Sequence, residues 1–305
     1  MKSLWIFPGQ GYQHANMLTH VDSSLLHYVE NLLEIHLNDN VQDYLDYVKL
    51  QVSISLLQVD QVDKLIAKGF YPQLVAGHSL GIFAAAYACG SLDKENLFKL
   101  VKLRAQLMQN AYPYEYGMGI VTGLTLNQLE FLVSQVNHSS MPVYVSNQNT
   151  PDQIALSGKL TAIRKVLVLA KKSGASKTLV LKVPVPSHSP LMKPIAHSLC
   201  EKLDKINIRT PNCVYLINSS GYSTRKPEFI KKDLSESLIY PVYFNSMISI
   251  ATDFKPDTII NFPPGSPFRK ILSQQFSEQH QIYLDQHIFD DSLFLLNKWK
   301  RGLYK

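Results

Sequence analysis

Apolar residues along this chain gather in short runs and helical stripes, with glycine and proline at the joints. Residues 4–7 (LWIF) form a continuous apolar run that stops at Pro8-Gly9, the length and punctuation of a short buried strand. Residues 25–37 and 44–68 carry apolar positions at helical spacing, and Gly69 closes the second stretch. The run LVA at 74–76 predicts another strand and residues 80–88 a helix. Residues 94–110 predict a longer helix with Asp93 as its cap.

The texture changes at Met118. MGIVTG (118–123) reads as a strand and TLNQLEFLVSQV (125–136) as a helix opened by Thr125. PVYVSNQN (142–149) and DQIALSG (152–158) read as two strands joined by a turn at Thr150-Pro151. KLTAIRKVLVLAKKSG (159–174) is an amphipathic helix closed by Gly174, and SKTLVLKV (176–183) is a last strand. The resulting order, βαββαβ, is the signature of a ferredoxin-like unit. Strand–helix alternation then resumes, with CVYLINS (213–219), a helix near 231–238, TIINF (258–262) and a helix near 268–275. The predicted architecture is therefore α/β: a discontinuous body of residues 1–117 and 185–305, interrupted by a small inserted unit of residues 118–184. There are no internal repeats or low-complexity tracts.

Composition narrows the function classes. Hydrophobic residues make up 46% and charged residues 18% of the chain, which supports a sizeable core in an ordinary globular protein. No apolar run reaches the roughly 18 residues of a membrane-spanning helix. The start, MKSLWIFPGQG, has too short an apolar stretch for a signal peptide, so a cytoplasmic protein without a membrane role is expected. Cys89, Cys200 and Cys213 are too few and too scattered for a disulfide framework or a zinc site, and each is expected to be a buried small hydrophobe. The net charge of +6, with a short basic end NKWKRGLYK, favours anionic partners. The dense basic clusters with interleaved aromatics of a nucleic-acid surface are missing, and so is any metal-ligand cluster.

Ser79 lies in GHSLG (77–81), a G-x-S-x-G pattern set between a strand and a helix. Serine ahead of a helix can simply cap it. The same context is what a nucleophile elbow needs: glycines permit a cramped turn, the hydroxyl projects, and the Leu80 N–H points at the carbonyl under attack. A serine nucleophile requires a base. His78 adjoins it, but a tight turn sends its side chain elsewhere. Eight further histidines lie in stretches without other chemistry. His188 differs, because it stands in VPVPSHSPLMKPIA just ahead of a helix, with Ser189 able to cap and Pro190 suited to the first turn. The positive end of the helix dipole favours a neutral imidazole there, as a general base requires, although a loop histidine with a structural hydrogen bond fits the same position. Arg104 falls in the middle of the apolar face formed by Leu97, Leu100, Val101, Leu107, Met108 and Ala111. A guanidinium aimed into a core must meet an anion, either an internal carboxylate or a ligand's carboxylate. FPGQGYQ (7–13) lacks the lysine and spacing of a phosphate loop, yet its turn can lend a backbone N–H to a nearby site.

Together these stretches resemble the malonyl-CoA:acyl carrier protein transacylase family over nearly the whole chain. The resemblance rests on PGQG at 8–11, Gln51 in LQVSISL, GHSLG at 77–81, GSLDKENLFKLVKLRAQLMQ at 90–109, VPSHSPLMKP at 185–194 and YPVYF at 240–244. It implies an α/β-hydrolase-like body with a ferredoxin-like insertion. It also implies Ser79 as nucleophile, His188 as base and Arg104 as the holder of the malonyl carboxylate. Gln10 and Leu80 match the backbone donors of the oxyanion hole, and Gln51 a glutamine lining the pocket, which His78 adjoins. Ser237 stands where the family commonly has a glutamine whose main-chain carbonyl orients the histidine. Ile82 replaces a common glutamate, and PPG at 263–265 a common GPG.

The implied reaction is ping-pong transfer of a malonyl group from malonyl-CoA to the thiol of a carrier protein through a malonyl-serine. The enzyme holds no permanent cofactor, because the prosthetic group belongs to the acyl carrier protein. Within the family, AYPYEYGMGIVTGL (111–124) and VYVSNQNTPDQIALSG (143–158) look most like the transacylase (epsilon) subunit of malonate decarboxylase, with fatty-acid or polyketide supply as the other setting. A serine esterase or thioesterase shares GHSLG, but its histidine normally lies near the C-terminus after an acidic residue. A non-catalytic scaffold of the same fold would be expected to have lost one of Ser79, His188 and Arg104.

Overall fold

The computed structural model describes residues 1–109, 111–112, 115–181 and 183–302. The expected helix end at Asn110, the strand position Lys182, Pro113 and Tyr114 of the 111–124 segment, and the last three residues of the basic end lie outside them.

The strands in chain order are β1 (Ser3–Phe7), β2 (Leu74–Gly77), β3 (Tyr116–Thr122), β4 (Val143–Thr150), β5 (Gln153–Lys159), β6 (Lys177–Leu181), β7 (Val214–Leu216), β8 (Ser223–Thr224), β9 (Thr258–Asn261) and β10 (His280–Tyr283). They form two sheets. The larger has the order β10-β9-β1-β2-β7-β8, parallel except for the terminal β7–β8 pair. Register pairs Phe7 with Gly77 and Ile6 with Asn261, so β1 sits in the centre and is buried along its length. A strand buried on both faces reads as an unbroken apolar run, which is what LWIF is.

Alternation divides the two faces. Trp5, Phe7 and Val75 pack under the helices Tyr47–Ala67, Gly81–Ala88 and Lys94–Gln109. Leu4, Ile6, Leu74 and Ala76 pack under Phe244–Asp253 and Arg269–Gln275. The smaller sheet, β4-β5-β3-β6, is antiparallel throughout and carries the helices Leu126–Ser134 and Leu160–Lys172 over its own apolar cluster. Its strand order is that of a ferredoxin-like unit, inserted in an α/β body. β4 also reaches that body, where the Gln148 N–H donates to the Val242 carbonyl and the Val242 N–H to that of Ser146.

Several local expectations are corrected. The helix expected over 25–37 is Ser23–Leu33, because Asp22 caps its start and Glu34 turns left-handed at φ 51°. The helix expected over 44–68 splits at Asp46, whose carboxylate accepts from the N–H groups of Val48 and Lys49 and starts a new helix behind a short 3-10 turn. Ser189 does not cap: its hydroxyl donates to the Pro186 carbonyl instead. Cys89 and Cys213 are buried, whereas Cys200 is only partly so. No helix among the described residues is long and apolar enough to cross a membrane.

Candidate active site

The loops that leave the carboxyl ends of β1, β2, β7 and β9 meet on one side of the large sheet, the usual place for a site in a parallel sheet. The β2 loop is the tightest. Gly77 and Gly81 bracket it because nothing larger fits: a Cβ on Gly77 would stand 2.4 Å from Gly81 backbone, and one on Gly81 would stand 2.1 Å from the Phe7 carbonyl oxygen. Between them Ser79 is left-handed at φ 53°. For a residue with a side chain this conformation is strained, and it persists only where the surroundings fix it. Here the side chain of Asn218 does so. Its Oδ1 accepts from the Ser79 N–H at 2.9 Å, and its Nδ2 donates to the Gly77 carbonyl. Asn218 is itself held by Asp233, a buried carboxylate on the helix Pro227–Glu236.

The Ser79 hydroxyl faces two side chains. His188 Nε2 is 2.7 Å from Oγ and Arg104 Nη2 is 3.3 Å from it. His188 is left-handed too, at φ 60°, and its Nδ1 lies 2.8 Å from the Ser237 carbonyl oxygen. A carbonyl can only accept, so Nδ1 carries the proton and Nε2 presents its lone pair to the serine. Burial pushes the imidazole down to about 3; the charge of Arg104 adds to this and the Ser237 carbonyl opposes it. The ring is therefore neutral at physiological pH and ready to take a proton.

Arg104 is 2% exposed. Its Nη1 donates to Gln51 Oε1 at 2.5 Å, and Gln51 Nε2 in turn lies 3.5 Å from Met108 Sδ. Burial lowers the guanidinium only to about 10, so it stays charged. Among the described residues no Asp or Glu pairs with it. The internal carboxylate that the sequence left open is not found among the described residues.

The β1 loop closes over the elbow. A Cβ on Gly9 would lie 2.9 Å from the His78 carbonyl oxygen, 3.5 Å from Ser79 Cβ and 3.7 Å from the Leu80 nitrogen. Gln58 fixes this loop by donating to the carbonyls of both Pro8 (2.8 Å) and Pro263 (2.9 Å). The PPG segment is thus tied to the site. Neither the Gln10 nor the Leu80 N–H donates to an acceptor among the described residues. His78 points away from Ser79. Its Nε2 lies 3.1 Å from Asn149 Oδ1 on β4, its ring packs against Phe244 and Phe268, and burial pushes it down to about 4. Ile82 is fully buried in the core.

The structure thus brings together Ser79, His188, Arg104, Gln51, Leu80 and the Ser237 carbonyl, with the Gly9-Gln10 turn packed against them. Asn218, Asp233 and Gln58 were not singled out from the sequence. They act through loops far apart in the chain, and a single Asn, Asp or Gln carries no local signal of that. Beside the site, a groove of about 540 Å³ runs between β4 and the body, lined by Tyr144, Val145, His188, Lys193 and Tyr240 among others.

The model of the acyl transferase domain family matches residues 4–288. A malonyl CoA-acyl carrier protein transacylase of Bacillus subtilis is 30% identical over 293 residues, covering 89% of this chain and 88% of that protein. An acyl carrier protein S-malonyltransferase from Vibrio cholerae superposes with a TM-score of 0.89 at 26% identity, covering 96% of this chain and 100% of that one. A malonyl-transacylase solved in complex with its type II PKS acyl-carrier protein superposes with a TM-score of 0.87 at 26% identity, covering 93% of this chain and 96% of that one. With a strand–elbow–helix serine, a neutral histidine against its hydroxyl and a family match along almost its whole length, the chain belongs to the acyl transferase domain family.

Proposed function

We propose that this chain is a malonyl-CoA:acyl carrier protein S-malonyltransferase. The observation that carries the reading is Arg104: a buried guanidinium without an acidic partner among the described residues, 3.3 Å from a serine hydroxyl that a histidine is placed to deprotonate. An unanswered buried charge is costly unless a ligand pairs with it, and a carboxylate matches the guanidinium fork with two parallel bonds. Among acyl groups this selects one that ends in a carboxylate. The names of the relatives in Bacillus subtilis and Vibrio cholerae support malonyl.

In this reaction His188 Nε2 takes the Ser79 proton as Oγ bonds to the thioester carbonyl carbon. The oxygen that becomes negative is received by the N–H groups of Leu80 and Gln10, which have no other acceptor among the described residues. The C–S bond then breaks, and CoA leaves as a thiol with the proton from His188. The carrier's prosthetic thiol gives its proton to the same nitrogen as its sulfur attacks the malonyl-serine; the C–Oγ bond then breaks and His188 returns the proton to Ser79 Oγ. The Ser237 carbonyl holds the imidazole in the required tautomer. That role needs only a main-chain oxygen, so serine serves as well as glutamine. Gln51 steadies Arg104, and His78 is held beside the site by Asn149 and the rings of Phe244 and Phe268.

The acyl carrier protein is the partner, a reading supported by the malonyl-transacylase solved with its carrier. The groove beside His188, which carries both Lys193 and Glu130 on its walls, is where we place the prosthetic arm. Residues 118–184 are taken as an inserted unit and residues 1–117 and 185–305 as the body. The separate sheet and core of the insertion support this, although β3 begins at Tyr116. The finer setting we propose is malonate decarboxylase, on the resemblance of the segments 111–124 and 143–158.

Intact mass after brief exposure to malonyl-CoA or acetyl-CoA tests the reading. A malonyl adduct on wild type, little acetyl adduct, and neither on Ser79→Ala are expected. No adduct, equal labelling by both thioesters, or free malonate as the main product with carrier present overturns it. Faster charging of a malonate decarboxylase carrier than of a fatty-acid carrier supports the finer setting, and the reverse removes it.

A further inference from the structure

Asp233 is 1% exposed, and among the described residues no cation pairs with it. Its partners are neutral donors. Oδ2 accepts from Tyr215 Oη at 2.9 Å and from the Asn218 N–H at 3.1 Å, while Oδ1 accepts from the Ser219 N–H and hydroxyl, both at 3.3 Å. A carboxylate taken out of water without a counter-charge is a poor stabiliser, because an apolar side chain would fill the space without the desolvation cost. Burial pushes its carboxyl up to about 6, in keeping with that cost.

What the carboxylate does supply is direction, and both of its attachments lead to the site. Through Asn218 it reaches the nucleophile, since the Asn218 side chain spans the elbow from the Gly77 carbonyl to the Ser79 N–H. Through its own helix it reaches the base. Pro227–Glu236 runs straight into the turn Ser237–Ile239, where the Ser237 carbonyl holds His188 Nδ1 and the Leu238 carbonyl accepts from the Ser189 N–H. The support of Ser79 comes from the loop after β7 and that of His188 from the turn after the helix Pro227–Glu236, which share no local sequence. Asp233 bonds the first to the helix that carries the second.

We propose that Asp233 is a positioning residue that sets the approach of the Ser79 hydroxyl to His188 by locking the loop holding the first to the helix end holding the second. The proposal rests on the reading of Ser79 as nucleophile and His188 as base. Displacements of about an ångström in such a pair cost on the order of a hundredfold in rate. Arg104 and Gln51 stand on other helices, so acyl selectivity is set independently.

The test compares wild type, Asp233→Asn, Asp233→Glu and Tyr215→Phe, each below its own unfolding transition. Two rates are read by intact mass: sulfonylation of Ser79 by phenylmethanesulfonyl fluoride and single-turnover malonylation. Asp233→Asn turns an amide N–H toward the Ser219 donors, and Asp233→Glu keeps the charge but displaces the acceptors. The two cover each other should one fail to fold. Both rates are expected to fall by roughly ten- to a hundredfold, with KM for malonyl-CoA and the malonyl-to-acetyl ratio unchanged. Tyr215→Phe removes the one donor that leads away from the site, and is expected to lower the unfolding midpoint without slowing either rate. Wild-type rates in a folded Asp233 variant overturn the proposal, as does equal slowing by Tyr215→Phe. A wild type that neither reagent labels at Ser79 removes the nucleophile reading and the proposal with it; normal labelling throughout removes the proposal alone.

Discussion

Arg104 shows how much one side chain can decide. Its helix, Lys94–Gln109, turns an apolar stripe to the core, and the guanidinium enters that stripe between Val101 and Met108. It meets Gln51 and Ser79, neither of which is charged. Replacing it with alanine removes a desolvated, two-pronged contact to the proposed malonyl carboxylate. The expected loss is about 2–4 kcal/mol in kcat/KM for malonyl-CoA and little for acetyl-CoA. Arg104→Lys keeps the charge but not the fork, so an intermediate ratio is expected. Measuring kcat/KM for both thioesters decides the matter, because equal losses mean that the arginine supports the fold and not the substrate. The stripe position of Arg104 was legible in the sequence, since helical period alone assigns a residue to a face. Its lack of an acidic partner among the described residues was not, because that depends on what every other element brings near it.

At the scale of elements, the elbow depends on two backbones approaching more closely than a methyl group allows. Gly81 sits on the Phe7 carbonyl, an atom of the central strand that cannot move without disturbing β2 and β9 as well. Gly81→Ala is expected to cost upwards of about 3 kcal/mol. Gly174 instead has a positive φ, of 98°, and nothing lies within 4 Å of a Cβ there. Gly174→Ala is expected to cost only the conformational strain, about 1–2 kcal/mol. Urea unfolding of the pair separates close approach from backbone conformation, and equal losses would refute the packing account. Elements of this kind were readable in the sequence wherever glycine, proline or a regular period marked them, as in β1, β2 and the ferredoxin-like insertion. β10 (HQIY) and the helix Phe289–Lys300 were missed because their polar and apolar residues follow no clean period. The early end of Ser23–Leu33 was missed because a glutamate, not a glycine, takes the left-handed position.

For the whole molecule, the buried titratable groups of the site fix how stability depends on pH. The imidazoles of His78 and His188 are pushed down by burial to about 4 and about 3, against an ordinary value of 6.5. As pH falls below 6.5 the unfolded chain binds protons at these positions and the native protein does not, so the free energy of unfolding falls with pH. Asp233 acts in the opposite sense. Its carboxyl, raised to about 6 from 3.8, takes a proton in the native state before it does in the unfolded chain, which favours folding as pH falls across that window. The carboxyls of Asp22, Asp43 and Asp93 are held below 3.8 by their hydrogen bonds and lose their contribution only at more acid pH. Two histidines outweigh one carboxyl, so the protein is expected to be less stable at pH 5 than at pH 7 by roughly 1–3 kcal/mol. Removing either kind of group shifts this difference in a known direction. His78→Gln takes away one of the protons that favour unfolding and narrows it, whereas Asp233→Asn takes away the compensating carboxyl and widens it. Thermal unfolding of the three proteins at both pH values measures these differences directly. A wild type equally stable at pH 5 and 7 would mean that the native imidazoles take up protons as freely as those of the unfolded chain, and would remove the burial-depressed His188 on which the proposed catalysis depends, whereas a His78→Gln variant with an undiminished loss would remove His78 alone from this account.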